Sequence, residues 1–371
     1  MADQLLDCEA HGTPTRLTCA ECARPICPKC LVKTSVGLKC EAHAQAIPPR
    51  FDRWVAPYAL GALVLVAAAV VILALAVVRQ SSDTSVAVPV PEPGGDAGGG
   101  GRIEPAQVFV VDANGSSPRT LTNRPLSFDA SPAWAPDGTT LAFESTQEGR
   151  RAIWVMQSDG LRLRRLTEGG GADASPAWSP DGTRIAFMSD RDGNQDVYVI
   201  GIDGSGLRRL TDDAAADGFP AWSPDGSRIA FVSDRDGRPG VWVMGADGSG
   251  PSRMVPGAAA PGRPAWSPDG RTLAFASDRE GGNLDIFVAG SDGGGVTRLI
   301  AGPGQDGEPA WSPDGARLAF ASDRSGGAQV YLANRDGSGV VQLTVRPRSF
   351  APAWAPDGTR LAYINDPLPG R

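Results

Sequence analysis

The chain has 371 residues, room for two or three domains, with 35 Lys and Arg against 42 Asp and Glu. Its composition is uneven: all six Cys, both His and every Lys lie within the first 43 residues, and from Gln80 onward the only basic side chain is Arg. Residues 1–79 are slightly basic and the remainder is acidic, which excludes a nucleic-acid-binding surface on the larger part, because neutralising phosphates takes clustered Lys and Arg.

The first element is a cysteine–histidine segment, residues 1–48. Cys8/His11, Cys19/Cys22, Cys27/Cys30 and Cys40/His43 form four pairs, each with two residues between partners. That gap lets both side chains of a tight knuckle converge on one tetrahedral ion, so eight ligands make two closed sites. Either partition that joins a Cys/His pair to a Cys/Cys pair gives two Cys₃His sites, a donor set that suits structural Zn²⁺, and Arg24, Lys29, Lys33 and Lys39 offset the thiolate charge. So short a segment buries too little apolar surface to fold alone; a structural zinc supplies on the order of 10–16 kcal/mol. A disulfide framework is the competing reading, opposed by histidines in register with the cysteines. A DNA-binding finger would need a basic recognition helix, and none is recognisable. The run Cys8-x₂-His11-x₇-Cys19-x₂-Cys22-x₄-Cys27-x₂-Cys30 resembles the B-box zinc finger. The resemblance implies a cross-brace, with Cys8, His11, Cys27 and Cys30 on one ion and Cys19, Cys22, Cys40 and His43 on the other. The segment departs from that family at Cys40-x₂-His43, which follows a nine-residue gap and has Cys for the usual His. No RING-like segment accompanies it, so ubiquitin-ligase activity is not implied.

Trp54 to Val78 is uncharged and rich in Leu, Val and Ala. As a helix it would reach about 37 Å, enough to cross a ~30 Å hydrocarbon core with some tilt. A cleaved signal peptide would be shorter and lie nearer the N-terminus. Within about 20 residues of the span, Lys39, Arg50 and Arg53 precede it and Arg79 alone follows, which predicts a single-pass plasma-membrane protein with its N-terminus in the cytoplasm and the bulk of the chain outside. Thiols in a reducing compartment and a Cys-free exported part agree with that orientation. Residues 79–104, rich in Ser, Pro and Gly, read as a linker.

Residues 105–371 repeat. Pro-Ala-Trp recurs with Trp134, Trp178, Trp222, Trp266, Trp311 and Trp354 about 44 residues apart, a propeller period. In the unit from Ser175, apolar runs are separated by Asp181-Gly182, by Ser189-Asp190-Arg191-Asp192-Gly193 and by Asp203-Gly204, predicting four antiparallel strands. The last unit stops before its third strand, whereas Val108-Phe109-Val110-Val111 and Arg119-Thr120-Leu121-Thr122 match strands three and four. This predicts an all-β six-bladed propeller of four-stranded blades whose last blade is shared by both ends of the domain, preceded by the two-zinc module and one transmembrane helix. The repeats resemble the TolB-type, WD40-like β-propeller through Pro-Ala-Trp-Ser-Pro-Asp-Gly and Ser-Asp-Arg-x-Gly. That resemblance implies a protein- or ligand-binding module and no particular chemistry.

Residues common to all blades are read as framework, so candidate function sits where the repeat is broken. Outside the recurring aromatics, the propeller has only Phe128, Phe219 and Phe350, all shortly before a Pro-Ala-Trp. Three residues before each Trp stand Ser131, Ser175, Phe219, Arg263, Glu308 and Ala351. An asymmetric rim with Phe128, Phe219, Arg263, Glu308 and Phe350 at the channel mouth is the expected partner-binding surface. Asp129, Asp173, Asp217 and Asp306 share one position, five before the Trp, where they cap turns or bind Ca²⁺. With neither His nor Cys outside the first 43 residues, His-dependent nucleophilic catalysis is excluded from the propeller. The expectation is therefore a membrane-anchored zinc protein whose propeller binds an extracytoplasmic protein or small ligand and couples to a cytoplasmic partner. The alternative is a propeller hydrolase using carboxylates.

Overall fold

The structure, a computed structural model, describes residues 6–7, 14–15, 31–34, 37–40, 106–124, 126–255, 262–346 and 348–366. It divides into two units, Met1–Arg79 and Gln80–Arg371. In the first, Leu6–Asp7 pairs with Pro14–Thr15, and Leu31–Thr34 pairs with Gly37–Cys40 so that Leu31 faces Cys40. Of the eight proposed zinc ligands only Cys40 falls in a described strand. The others, the span 54–78 and the linker 79–104 lie outside the described residues. Among the described residues, no helix is long and apolar enough to cross a membrane.

The second unit is a ring of six four-stranded antiparallel sheets. Blade two shows why the sequence builds one. Its inner strand is Asp173–Trp178, followed outward by Arg184–Ser189, Asp196–Gly201 and Arg208–Arg209. Ile185, Ala186, Phe187 and Met188 are all buried, because a blade is covered on both faces by its neighbours and needs apolar side chains at successive positions. The turn between the first two strands is set by Asp181-Gly182: Gly182 has φ +69°, and the Asp181 carboxylate accepts from Thr183 N at 3.0 Å and Ser179 Oγ at 2.5 Å. The outermost strand is two residues long and Arg-rich, a form that discourages edge-to-edge pairing. Beyond it the Thr211 hydroxyl accepts from Val197 N at 2.9 Å, continuing the ladder with a side chain.

The inner strands carry a bulge. Ala174 faces Met188 and Ala177 faces Ala186, leaving Ser175 and Pro176 out of register. Pro has no N–H to contribute, so its place in a bulge costs the ladder nothing. Blades pack through shared clusters, such as Val197, Val199 and Leu210 of blade two with Trp222, Phe231 and Trp242 of blade three.

The ring closes as its ends predict. In blade six, Ser349–Trp354 and Arg360–Asn365 come from the C-terminal side, whereas Gln107–Asp112 and Arg119–Thr120 come from the N-terminal side. The join runs from Arg360 opposite Asp112 to Asn365 opposite Gln107.

Candidate functional site: the channel constriction

The residue three before each Trp sits inside the inner-strand bulge. Ser131, Ser175, Phe219, Glu308 and Ala351 all have φ between +50° and +54°. A non-glycine residue in the left-handed region is under local strain and marks a position the surrounding fold over-determines. Here the ring imposes it five times, turning these residues into the channel. Together with Arg263 they line one constriction of about 50 Å³, room for a few water molecules. Arg263 departs from the pattern: its φ is not left-handed, and the inner strand of blade four is cut to Ala265–Trp266. Its side chain crosses the channel and donates from Nη2 to the carbonyl of Pro176 in blade two at 2.7 Å.

Two carboxylates act on that guanidinium. Glu308 Oε2 accepts from Ala351 N at 2.6 Å, so blade five holds the strained residue of blade six. Glu144 Oε2 accepts from Ser175 N at 2.9 Å and does the same between blades one and two. Burial pushes the Glu308 carboxyl above its ordinary value, opposed by the Ala351 N–H and by Arg263. Burial also lowers Arg263, opposed by the charges of Glu144 and Glu308. Neither carboxylate forms a direct ion pair with Arg263 among the described residues, so the three interact through space across a narrow passage. The arrangement offers a cation, an acid and the ring of Phe219 at one opening.

Of the residues expected at the rim, Phe219, Arg263 and Glu308 are brought together. Phe128 is not among them. It is 8% exposed, packed with Ala106, Ala130 and Ile364, with Arg151 over its ring at 5.7 Å. Phe350 is half-buried against the same cluster. The difference is positional: Phe219 stands in the bulge, Phe350 one residue earlier, and Phe128 before the strand begins. Glu144 was not anticipated. It lies just behind the lining, 2% exposed, at a strand-two position where the other blades have Met188, Val232, Ala276, Ala321 and Ile364. One acid among five apolar residues at a buried position was a readable signal.

The aspartates five before the Trp do not fit a calcium site. Arg191, Arg235 and Arg324 of the Ser-Asp-Arg loops fold back onto Asp173, Asp217 and Asp306 at 2.7–2.8 Å. The same guanidiniums lie 4.7–5.5 Å from the centroids of the strand-two and strand-three aromatic rings. Asp129, whose loop has Gln147 in place of arginine, accepts from Ser145 Oγ at 2.5 Å. One carboxylate per blade, each tied to its own serine or arginine, cannot assemble the six to eight oxygens that Ca²⁺ takes. Among the described residues, no three His, Cys, Asp or Glu gather closely enough to hold a metal ion.

A family model described as the TolB beta propeller domain matches residues 167–260 and 255–367. No curated protein matches the chain in sequence. Among solved structures, a protein described as a TolB of Agrobacterium tumefaciens superposes with TM-score 0.62 at 23% identity, over 71% of this chain and 98% of that one. TolB of Acinetobacter baumannii follows at TM-score 0.59 and 24% identity, over 69% and 67%. A chain of a nidogen–laminin complex reaches TM-score 0.53 at 11% identity, over 71% and 100%. At these identities the likeness is one of fold.

Proposed function

The chain belongs to the TolB β-propeller domain family, and from that premise we propose that its ring is a binding module whose channel mouth captures a partner polypeptide. The observation that carries the reading is the set Phe219, Arg263 and Glu308, backed by Glu144, which alone breaks the repeat at the constriction. Small-molecule pockets usually offer roughly 300–1,000 Å³, and this constriction offers about 50 Å³. A partner must therefore present a side chain or a terminus to the mouth from outside. The hydrolase alternative would recruit Glu144 and Glu308. Each already has an oxygen held by a backbone N–H, and Glu144 lies behind the lining, so the binding reading accounts for more.

On this reading Trp54–Val78 anchors the chain in the plasma membrane, residues 79–104 hold the propeller on the extracytoplasmic side, and the two-zinc segment 1–48 meets a cytoplasmic partner. Replacing Phe219, Arg263 and Glu308 together by Ser should abolish retention of an extracytoplasmic protein captured by the wild type, while the loss of the Glu308–Ala351 and Arg263–Pro176 hydrogen bonds lowers stability without unfolding the ring. Trp222→Ala serves as the control for instability, because deleting a packed aromatic costs about 3–5 kcal/mol. Undiminished capture by the triple variant, at matched folded fraction, would remove the site from the mouth. For the N-terminal segment, the full chain should carry two zinc ions by metal analysis and release them to a chelator with loss of the segment's protection from proteolysis. A metal-free chain with the same protection would sink the zinc assignment.

A further inference from the structure

At the other end of the inner strands, beside the Asp-Gly turns, each blade's Trp presents its indole toward the preceding blade. Five of the six are covered by an arginine. Arg184 lies over Trp222 at 4.9 Å, Arg228 over Trp266 at 4.8 Å, Arg317 over Trp354 at 5.0 Å and Arg360 over Trp134 at 5.3 Å. All four arginines open the second strand of the preceding blade. Blade four has Thr272 there, and its neighbour supplies a substitute: Arg335, from the hairpin of blade five, covers Trp311 at 5.9 Å and binds Asp269 at 3.0 Å.

Trp178 is the sixth, and among the described residues no cation covers it. Thr140 stands where the covering arginine would start, and Ile202 stands where Arg335 stands in blade five. The other five tryptophans are 7–9% exposed; Trp178 is more open. In front of it is a cavity of about 520 Å³ lined by Pro136, Asp137, Thr140, Asp181 and Ile202. Asp137 occupies the place of Asp269, the carboxylate that holds Arg335. Its carboxylate accepts from Thr139 N on Oδ1 and from Thr139 Oγ1 on Oδ2, both at 2.9 Å, and it lacks the serine donor that Asp269 has from Ser267, because residue 135 is Ala, so both oxygens keep a free lone pair. Asp181 takes its three hydrogen bonds on Oδ1, leaving Oδ2 open, and those donors keep its carboxyl low, at about 2.

We propose that this slot is a docking socket for an arginine side chain of a partner polypeptide, which stacks on Trp178 and donates to Asp137 and Asp181. The ring shows the same recognition completed within the chain, Trp311 and Asp269 around Arg335. An indole face attracts a cation within about 6 Å, and a planar guanidinium stacks while donating in its own plane, which an ammonium cannot do. Free arginine is a poorer guest, because its own carboxylate would stand near two aspartates. The socket is separate from the channel constriction, so either can fail without the other.

The test follows the indole N–H resonance of Trp178 by NMR in the full chain, assigned with Trp178→Phe, during titration with N-acetylarginine methylamide. A saturable shift is expected, roughly ten-fold weaker with the neutral isostere citrulline in the same capped form, and weaker with capped lysine and with free arginine. Thr140→Arg, which supplies the missing arginine from within, should abolish the shift while leaving the melting temperature unchanged or higher. Asp137→Asn should weaken it. A shift that persists in Thr140→Arg, an equal response to citrulline, or none at saturating capped arginine overturns the socket. Equal binding of capped lysine overturns the guanidinium, and equal binding of free arginine overturns the polypeptide source.

Discussion

Glu308 sits in left-handed backbone, accepts from a neighbouring blade and lines the channel constriction, where burial raises its carboxyl above the ordinary value. Its carboxyl is raised on folding, so ionisation costs stability: the penalty is absent below the ordinary carboxyl value near 4.5 and grows as pH rises through the folded-state value. Glu308→Gln keeps an acceptor for Ala351 N and removes the charge. Thermal melts should therefore show the variant more stable than wild type at pH 7 and equal to it near pH 4; a gain that persists at pH 4 would mean the carboxylate's charge is not the cause. A second prediction concerns Asp217, fully buried and paired with Arg235 at 2.7 Å. Arg235→Ala leaves a buried carboxylate without its cation and should cost about 3–5 kcal/mol in denaturant unfolding. Adding Asp217→Asn should recover part of that loss, and no recovery would assign the cost to lost packing over Phe231 and Trp242 instead.

At the scale of the strand, the sequence shows its elements almost openly. Each Asp-Gly turn between the first two strands and each strand-two aromatic has one local cause, and that cause repeats. What stayed hidden depends on register between elements. The bulge that turns Phe219 into the channel is invisible until Gly218 is known to face Val232 and Ala221 to face Ala230. Grouping Phe128, Phe219 and Phe350 by segment missed that only one of them occupies the bulged position. Glu144 and the open face of Trp178 were hidden differently. Both are departures that aligning the six repeats shows, but what each does depends on the neighbouring blade it faces: Glu144 on Ser175, and Trp178 on Thr140.

For the whole molecule, closure is the property on which the others rest, since the clusters bridge adjacent blades and the constriction takes residues from all six. Removing residues 360–371 would take out the strand that joins the two ends and leave Gln107–Asp112 and Ser349–Trp354 with open edges. The truncated chain should lose its single sharp unfolding transition in calorimetry and self-associate in proportion to concentration. A sharp, concentration-independent transition would show that the remaining blades do not need the clasp. The same join also decides how the molecule bears load. A pull on the chain ahead of Gln107, directed along that strand, meets antiparallel pairing from Gln107–Asn365 to Asp112–Arg360 on one side and Arg119–Thr120 on the other. Ladder hydrogen bonds lie across such a force, so they resist together in shear instead of opening one after another. The strand that enters the ring first is thus also its mechanical latch.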